Sequence, residues 1–191
     1  GGALLGDRIR MEELTGDQHV YIRSMASRKS HGGMARAGVD ACDVMDAFGM
    51  ERILIETVGV GQAEYDVMGA CDTVVVVMCP GAGDGVQAMK AGILEVADVL
   101  VVNKSDLAGA ERLADDLSEA VHTRAIRSDE WSGEVGSSWT VPVVLASAGK
   151  AQGVDEVLKA ITSHRAMLDS RGPNGLEDAR RKKRVAQVRR V

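Results

Sequence analysis

Four short apolar runs recur along the chain, at residues 52–56, 73–78, 98–103 and 142–146. None alternates apolar with polar positions, and all are rich in valine, isoleucine or leucine, as strands buried on both faces are. A fifth run, residues 20–25, is a weaker strand candidate. Helix-like segments lie at residues 39–48, 85–97, 108–125 and 154–167. Strands alternating with helices imply βαβ units, and so an α/β fold with a mostly parallel sheet covered by helices on both faces. Such open sheets bind ligands at the carboxyl ends of their strands.

Composition narrows the class without changing this picture. The 191 residues are 45% apolar and 27% charged, with a formal net charge of −5, as in a globular chain rather than a disordered one. The longest unbroken apolar run, residues 74–79, is far short of the roughly 20 residues that a membrane helix needs. Cys42, Cys71 and Cys79 form no CxxC motif and cannot all pair, which predicts reduced thiols and a cytoplasmic location. Aromatic residues make up only 3% of the chain, which argues against a base-stacking platform for nucleic acid. The charge is uneven: residues 177–191 hold seven Lys or Arg against two acids, so the body is strongly acidic. That basic tail reads either as the solvated face of a helix or as a surface for an acidic partner.

The ends of the four strands carry the chemistry. Residues 52–56 run into Glu56-Thr-Val-Gly59-Val-Gly-Gln62, and residues 73–79 into Pro80-Gly81-Ala-Gly83-Asp84-Gly85. Residues 98–102 run into Asn103-Lys104-Ser105-Asp106, and residues 142–146 into Ser147-Ala148-Gly149-Lys150. In an Asn-Lys-x-Asp turn the aspartate can accept hydrogen bonds from N1–H and the exocyclic amine of guanine. Adenine lacks that donor pair and would leave the carboxylate unpaired. The lysine stem can lie along the purine plane, and the asparagine can tie neighbouring loops together. The competing reading makes Ser105 or Asp106 a helix N-cap. Ser147 and Ala148, one βα unit later, stand where a second base-contacting loop is expected, with backbone N–H groups for the guanine carbonyl.

Glu56 and Gly59 have the spacing of an acid that holds Mg²⁺ through water and a glycine whose N–H approaches a γ-phosphate. Most GTPases have aspartate at that first position. Gln62 is a candidate for orienting the attacking water. A phosphate-binding GxxxxGK[ST] sequence does not occur in the 191 residues, and Gly149-Lys150 cannot substitute for it. His19, His31, His122 and His164 lack metal-ligand spacing, so surface or capping roles are expected of them.

These motifs closely resemble the MeaB/ArgK/MMAA GTPases, a family of SIMIBI-class P-loop G proteins. The resemblance is carried by GGALLGDRIRM (residues 1–11), YIRSMAS (21–27), IETVGVGQ (55–62) and KAGILEVAD (90–98) with the NKSD turn, and it covers residues 1–168. It implies a GTP-binding and GTP-hydrolysing chaperone that assists adenosylcobalamin loading and protection of methylmalonyl-CoA mutase or a related mutase. The cofactors implied are GTP or GDP with Mg²⁺, with no cobalamin site of the chain's own. Position by position, Asp7 matches the switch aspartate near Mg²⁺, Glu56 the acid at the end of the strand before switch II, and Gly59 the γ-phosphate glycine of that switch. Asn103, Lys104, Asp106, Ser147, Ala148 and Gly149 match the guanine loops. Gly81, Gly83, Asp84, Gly85 and Lys90 fall in an additional switch that answers to the mutase.

In that family the phosphate loop precedes GGALLGD. The resemblance therefore implies a partial G domain over residues 1–168, lacking the N-terminal strand and P-loop, then the start of a helical dimerisation arm over 169–191. Such a piece is expected to be inactive and poorly folded by itself, and to form a homodimer only at full length. The alternatives are an ArgK-type transport-associated kinase, or a non-catalytic interaction domain without a phosphate loop.

Overall fold

The computed structural model describes residues 11, 14, 16–25, 33–57, 71–81, 94, 96–132, 139–172, 174–178 and 181; for 33–36 and 124–132 it describes the backbone alone. The chain divides into two compact units, Gly1–Ala70 and Cys71–Val191.

The second unit is an α/β layer structure. Three strands, β1 (Val75–Met78), β2 (Val99–Val102) and β3 (Val143–Leu145), form a parallel sheet in that order. The register pairs Val76 with Leu100 and Leu100 with Val143. The centres of three predicted strands are therefore ladder-forming, each trimmed by a residue or two at its ends. Helix α2 (Ala110–Ser132) follows β2, and α3 (Val154–Ser170) follows β3.

The period of two along β2 sends its side chains to both layers. Val99 and Val101 pack with Val75, Val144 and Ala146 against Val157, Ala160 and Ile161 of α3. Leu100 and Val102 are left to the other side, where α2 touches β2 and β3 and brings the fully buried Leu117. All four residues of β2 are buried, and complete burial of each such side chain contributes about 1.5–3 kcal/mol. The outer strands differ from expectation. Val77 of β1 is 58% exposed and Leu145 of β3 40%; along β1 the exposure alternates, with Val76 and Met78 buried and Val77 open.

A polar pin fastens α3 to the amino ends of the strands. His164, buried to 3% exposure, places Nδ1 2.9 Å from Thr73 Oγ1, while its Nε2 lies 3.5 Å from Asp98 Oδ1. The other oxygen of Asp98 accepts the Val74 N–H at 2.8 Å. The Trp139 indole N–H donates to the Asp98 carbonyl at 2.7 Å, and its ring sits 4.9 Å from that of His164. His164 is thus a satisfied core histidine and not the surface or capping residue that its spacing suggested. Trp139→Phe keeps an aromatic ring but removes the N–H donor and the five-membered half of the indole. It is expected to lower stability by about 1 kcal/mol, read as a lower urea midpoint at unchanged slope.

The first unit contains α1 (Gly33–Phe48), which begins before the helix expected from residue 39. It ends in a Schellman turn: Gly49, at φ +98°, donates its N–H to Asp46 O at 2.9 Å, and Met50 donates to Met45 O at 3.0 Å. The runs at 20–25 and 52–56 join no ladder among the described residues, and Leu54 is 93% exposed. Those strand assignments are corrected here. An apolar run specifies a preference for extended backbone, but a strand also needs a neighbour for its N–H and C=O groups.

The helix expected at 85–97 lies mostly outside the described residues; of its positions Leu94, Val96 and Ala97 are buried. Cys42, Cys71 and Cys79 are not joined by a disulfide, and all three are half-buried. Burial, followed by the neighbouring Asp43, raises the Cys42 pKa. No helix among the described residues is long and apolar enough to cross a membrane.

Candidate nucleotide-base site

At the carboxyl ends of β2 and β3 the two predicted turns interlock. The Asn103 N–H donates to Met78 O at 2.8 Å, which carries the β1–β2 ladder into the turn. The chain then bends at Lys104, whose φ of +58° is left-handed and unfavourable for a residue with a Cβ. The bend is held from both sides: Leu107 N–H donates to Lys104 O, and Ser105 N–H donates to Ala146 O, each at 2.9 Å. The Asn103 side chain accepts the Ala148 N–H at 3.1 Å and so joins the turn after β2 to the turn after β3. That is the loop-tying role expected of it. Asn103→Ala should free the second loop and lower stability by about 1 kcal/mol, with weaker guanine-nucleotide binding measured on the same preparation.

Asp106 is the focus of the turn. Its Oδ1 accepts the Ser147 hydroxyl at 2.7 Å, and its Oδ2 lies 3.0 Å from Lys150 Nζ. Helix α2 starts only at Ala110, beyond Gly109, so Asp106 faces β3's turn instead of capping the helix. The Ser147 hydrogen bond, then that from Lys150, holds its carboxyl below the usual carboxylate range. A depressed carboxyl contributes above its ordinary value of about 3.9 and is lost only as the pH falls through the lower folded value. Asp106 is therefore an anionic acceptor at neutral pH.

The second loop is a compact device. Ser147 and Gln152 form an antiparallel bridge, with Ser147 N–H to Gln152 O at 2.9 Å and Gln152 N–H to Ser147 O at 3.2 Å. A 3₁₀ turn, Ala148–Lys150, fills the space between them. Two left-handed residues, Ala151 at φ +53° and Gly153 at φ +74°, redirect the chain into α3.

The structure thus gathers Asn103, Lys104, Asp106, Ser147, Ala148 and Gly149 in two adjoining turns. It adds Lys150, whose charge faces Asp106 and not a phosphate loop; its place directly after Gly149 was the only signal for it. The Ser147 and Ala148 amides already serve Gln152 and Asn103, so a base carbonyl reaches Ala148 N–H only by displacing Asn103.

Gly81 follows β1 at φ +81° with open space around it, the backbone freedom expected there. Glu56 belongs to the first unit and is exposed. Asp7, Gly59, Gln62, Gly83, Asp84, Gly85 and Lys90 lie outside the described residues. Among the described residues no three His, Cys, Asp or Glu side chains are grouped to hold a metal.

The family model for "Methylmalonyl Co-A mutase-associated GTPase MeaB" matches residues 1–191. The chain belongs to the MeaB family. A relative from Pyrococcus abyssi is 45% identical over 191 residues, covering 100% of this chain and 56% of its own length. The mouse protein named methylmalonic aciduria type A homolog, mitochondrial, is 36% identical over 160 residues, 82% of this chain and 37% of its own. GTPase ArgK of Escherichia coli is 31% identical over 193 residues, covering 100% of this chain and 55% of its own. The chain thus spans about half the length of the P. abyssi and E. coli relatives. A crystal structure described as a LAO/AO transport system kinase superposes with a TM-score of 0.63 at 25% identity, over 83% of this chain and 48% of that one. The fold is that of the P-loop GTPases.

Proposed function

We propose that this chain forms the guanine-reading part of a GTP-binding and GTP-hydrolysing protein that assists a methylmalonyl-CoA mutase or a related adenosylcobalamin-dependent mutase. The observation that carries the reading is Asp106. Its ionised carboxylate stands at the carboxyl end of a central parallel strand, oriented by Ser147 on one oxygen. Guanine offers two adjacent donors, N1–H and the 2-amine, to such a carboxylate, and adenine does not. The Lys104 stem supplies an apolar edge for the purine, and Asn103 keeps the two loops in register.

In this reading Asp7 and Glu56 contribute carboxylates toward Mg²⁺, which would neutralise charge on the phosphates. Gly59 offers its N–H to the γ-phosphate, and Gln62 orients water for attack. Glycines 81, 83 and 85, with Asp84 and Lys90, form a segment that answers to the mutase. Residues 1–168 belong to the G domain, and 169–191 begin an arm through which two copies associate.

The mutase is supported by the family description and by the name of the mouse relative. The test is nucleotide turnover by the product of the complete gene, with and without a methylmalonyl-CoA mutase. GTP turnover well above ATP turnover, stimulated by the mutase, is expected. Equal turnover of the two nucleotides would remove the guanine assignment, and indifference to every acyl-CoA mutase would remove the assisting role. The description of the superposed structure as a transport system kinase supports a second reading, in which phosphate passes to a protein acceptor. Labelled phosphate on such an acceptor would favour it.

A further inference from the structure

The ammonium group of Lys150 is paired with the carboxylate that the proposed guanine reading assigns to the base. Both oxygens of Asp106 are engaged: Oδ1 by the Ser147 hydroxyl at 2.7 Å, and Oδ2 by Lys150 Nζ at 3.0 Å. A guanine edge would offer its N1–H and 2-amine to this carboxylate, and the donor directed at Oδ2 would approach the oxygen that Lys150 already holds. We propose that Lys150 is a built-in competitor for the base, an intramolecular cation that occupies Asp106 until guanine displaces it and so sets the affinity of the site. This inference rests on the guanine reading above.

The geometry restricts how the competitor can leave. The backbone around Lys150 is fixed by Lys150 N–H to Ser147 O at 2.9 Å, Ala151 N–H to Ala148 O at 3.1 Å, and the two Ser147–Gln152 hydrogen bonds. Gly153 packs against the end of β3 and closes the turn. Release must therefore come from rotation of the lysine side chain, which at 56% exposure has solvent to move into. The loop stays in place while the ammonium swings away.

The pairing also has a use. Before a base arrives, Lys150 and Ser147 together hold the carboxylate in one orientation. A carboxylate left alone at the rim would be free to turn toward other donors. The charge of Lys150 excludes ligands that present a cation to Asp106 and admits those that satisfy the carboxylate with two neutral donors. An exposed ion pair is weak, so the competition is modest, about two- to fivefold in affinity.

The test uses the product of the complete gene, with GDP and ADP dissociation constants measured by calorimetry for the wild type, Lys150→Met, Lys150→Gln and Lys150→Arg. Melting temperatures recorded alongside confirm that each variant is folded, and the two neutral replacements guard against one of them misfolding. Both neutral variants should bind GDP about two- to fivefold more tightly than wild type. Lys150→Arg, which keeps the charge, should not gain affinity, and ADP binding should be unchanged throughout. The gain should also shrink at high salt, where the wild-type ion pair is already screened. A wild type that prefers GDP, with neutral variants that bind it equally or more weakly, overturns the competitor role and leaves the guanine reading intact. A wild type without preference for GDP over ADP overturns both.

Discussion

Asp106→Asn should reduce GDP affinity by on the order of 100-fold or more, and should create affinity for xanthosine diphosphate that the wild type lacks. The carboxylate offers two acceptors to N1–H and the 2-amine of guanine. An asparagine offers one acceptor and one amide N–H₂ donor. Set against guanine, that donor meets the 2-amine, so one hydrogen bond is lost and two donors are forced together. Xanthine carries a carbonyl at C2 and accepts from the same amide, which restores the pair. The asparagine oxygen can still take the Ser147 hydroxyl now bound at 2.7 Å, so the loop geometry should persist. Lys150 loses its anion in the variant, and the competition inferred above disappears with it. Calorimetry with GDP, ADP and xanthosine diphosphate checks the outcome against a melting curve. An unchanged GDP preference would show that Asp106 does not read the base.

The turn after β2 was legible in the sequence because its parts are local. Asn103, Lys104 and Asp106 sit in one tetrapeptide after a valine-rich strand, and β-branched residues without alternation mark such a strand. Residues 147–149 followed by counting one βα unit forward. What the sequence did not show were relations between distant positions. His164 and Thr73 are 91 residues apart, and no spacing rule connects a mid-helix histidine with a threonine ahead of another strand. Lys150 was visible as a residue, but its partner was not. It faces Asp106 because the parallel register of β2 and β3 sets their following turns side by side. The run at 52–56 shows the converse. Its composition is as strand-like as that of β1, yet pairing depends on a neighbour that composition does not specify.

The second loop depends on a residue that touches no base. Gly153→Ala should lower stability by about 3–4 kcal/mol, from left-handed backbone strain and overpacking together. At the size of this chain that corresponds to a fall of roughly 10 °C in melting temperature. Gly153 has φ +74° and ψ 1°, immediately before α3. A Cβ there would collide with the Leu145 carbonyl oxygen, and would lie 2.8 Å from Ala146 Cα and 3.2 Å from Ala146 Cβ. The first two are backbone atoms at the end of β3, so no side-chain rotation relieves the clash. The strand end itself must shift. Ala146 O accepts the Ser105 N–H, and Ser147 holds Asp106, so a shift of that strand end disturbs the turns after β2 and β3 at once. Guanine-nucleotide affinity should therefore fall together with stability. Gly172→Ala separates the two causes, because Gly172 is also left-handed at φ +90° but has nothing within 4 Å of the added Cβ. It should cost only the backbone strain, about 1 kcal/mol, and leave nucleotide affinity unchanged. Equal melting temperatures for the two variants would mean that the end of β3 yields to the new methyl without resistance, and the two loops would then not be fixed by this packing.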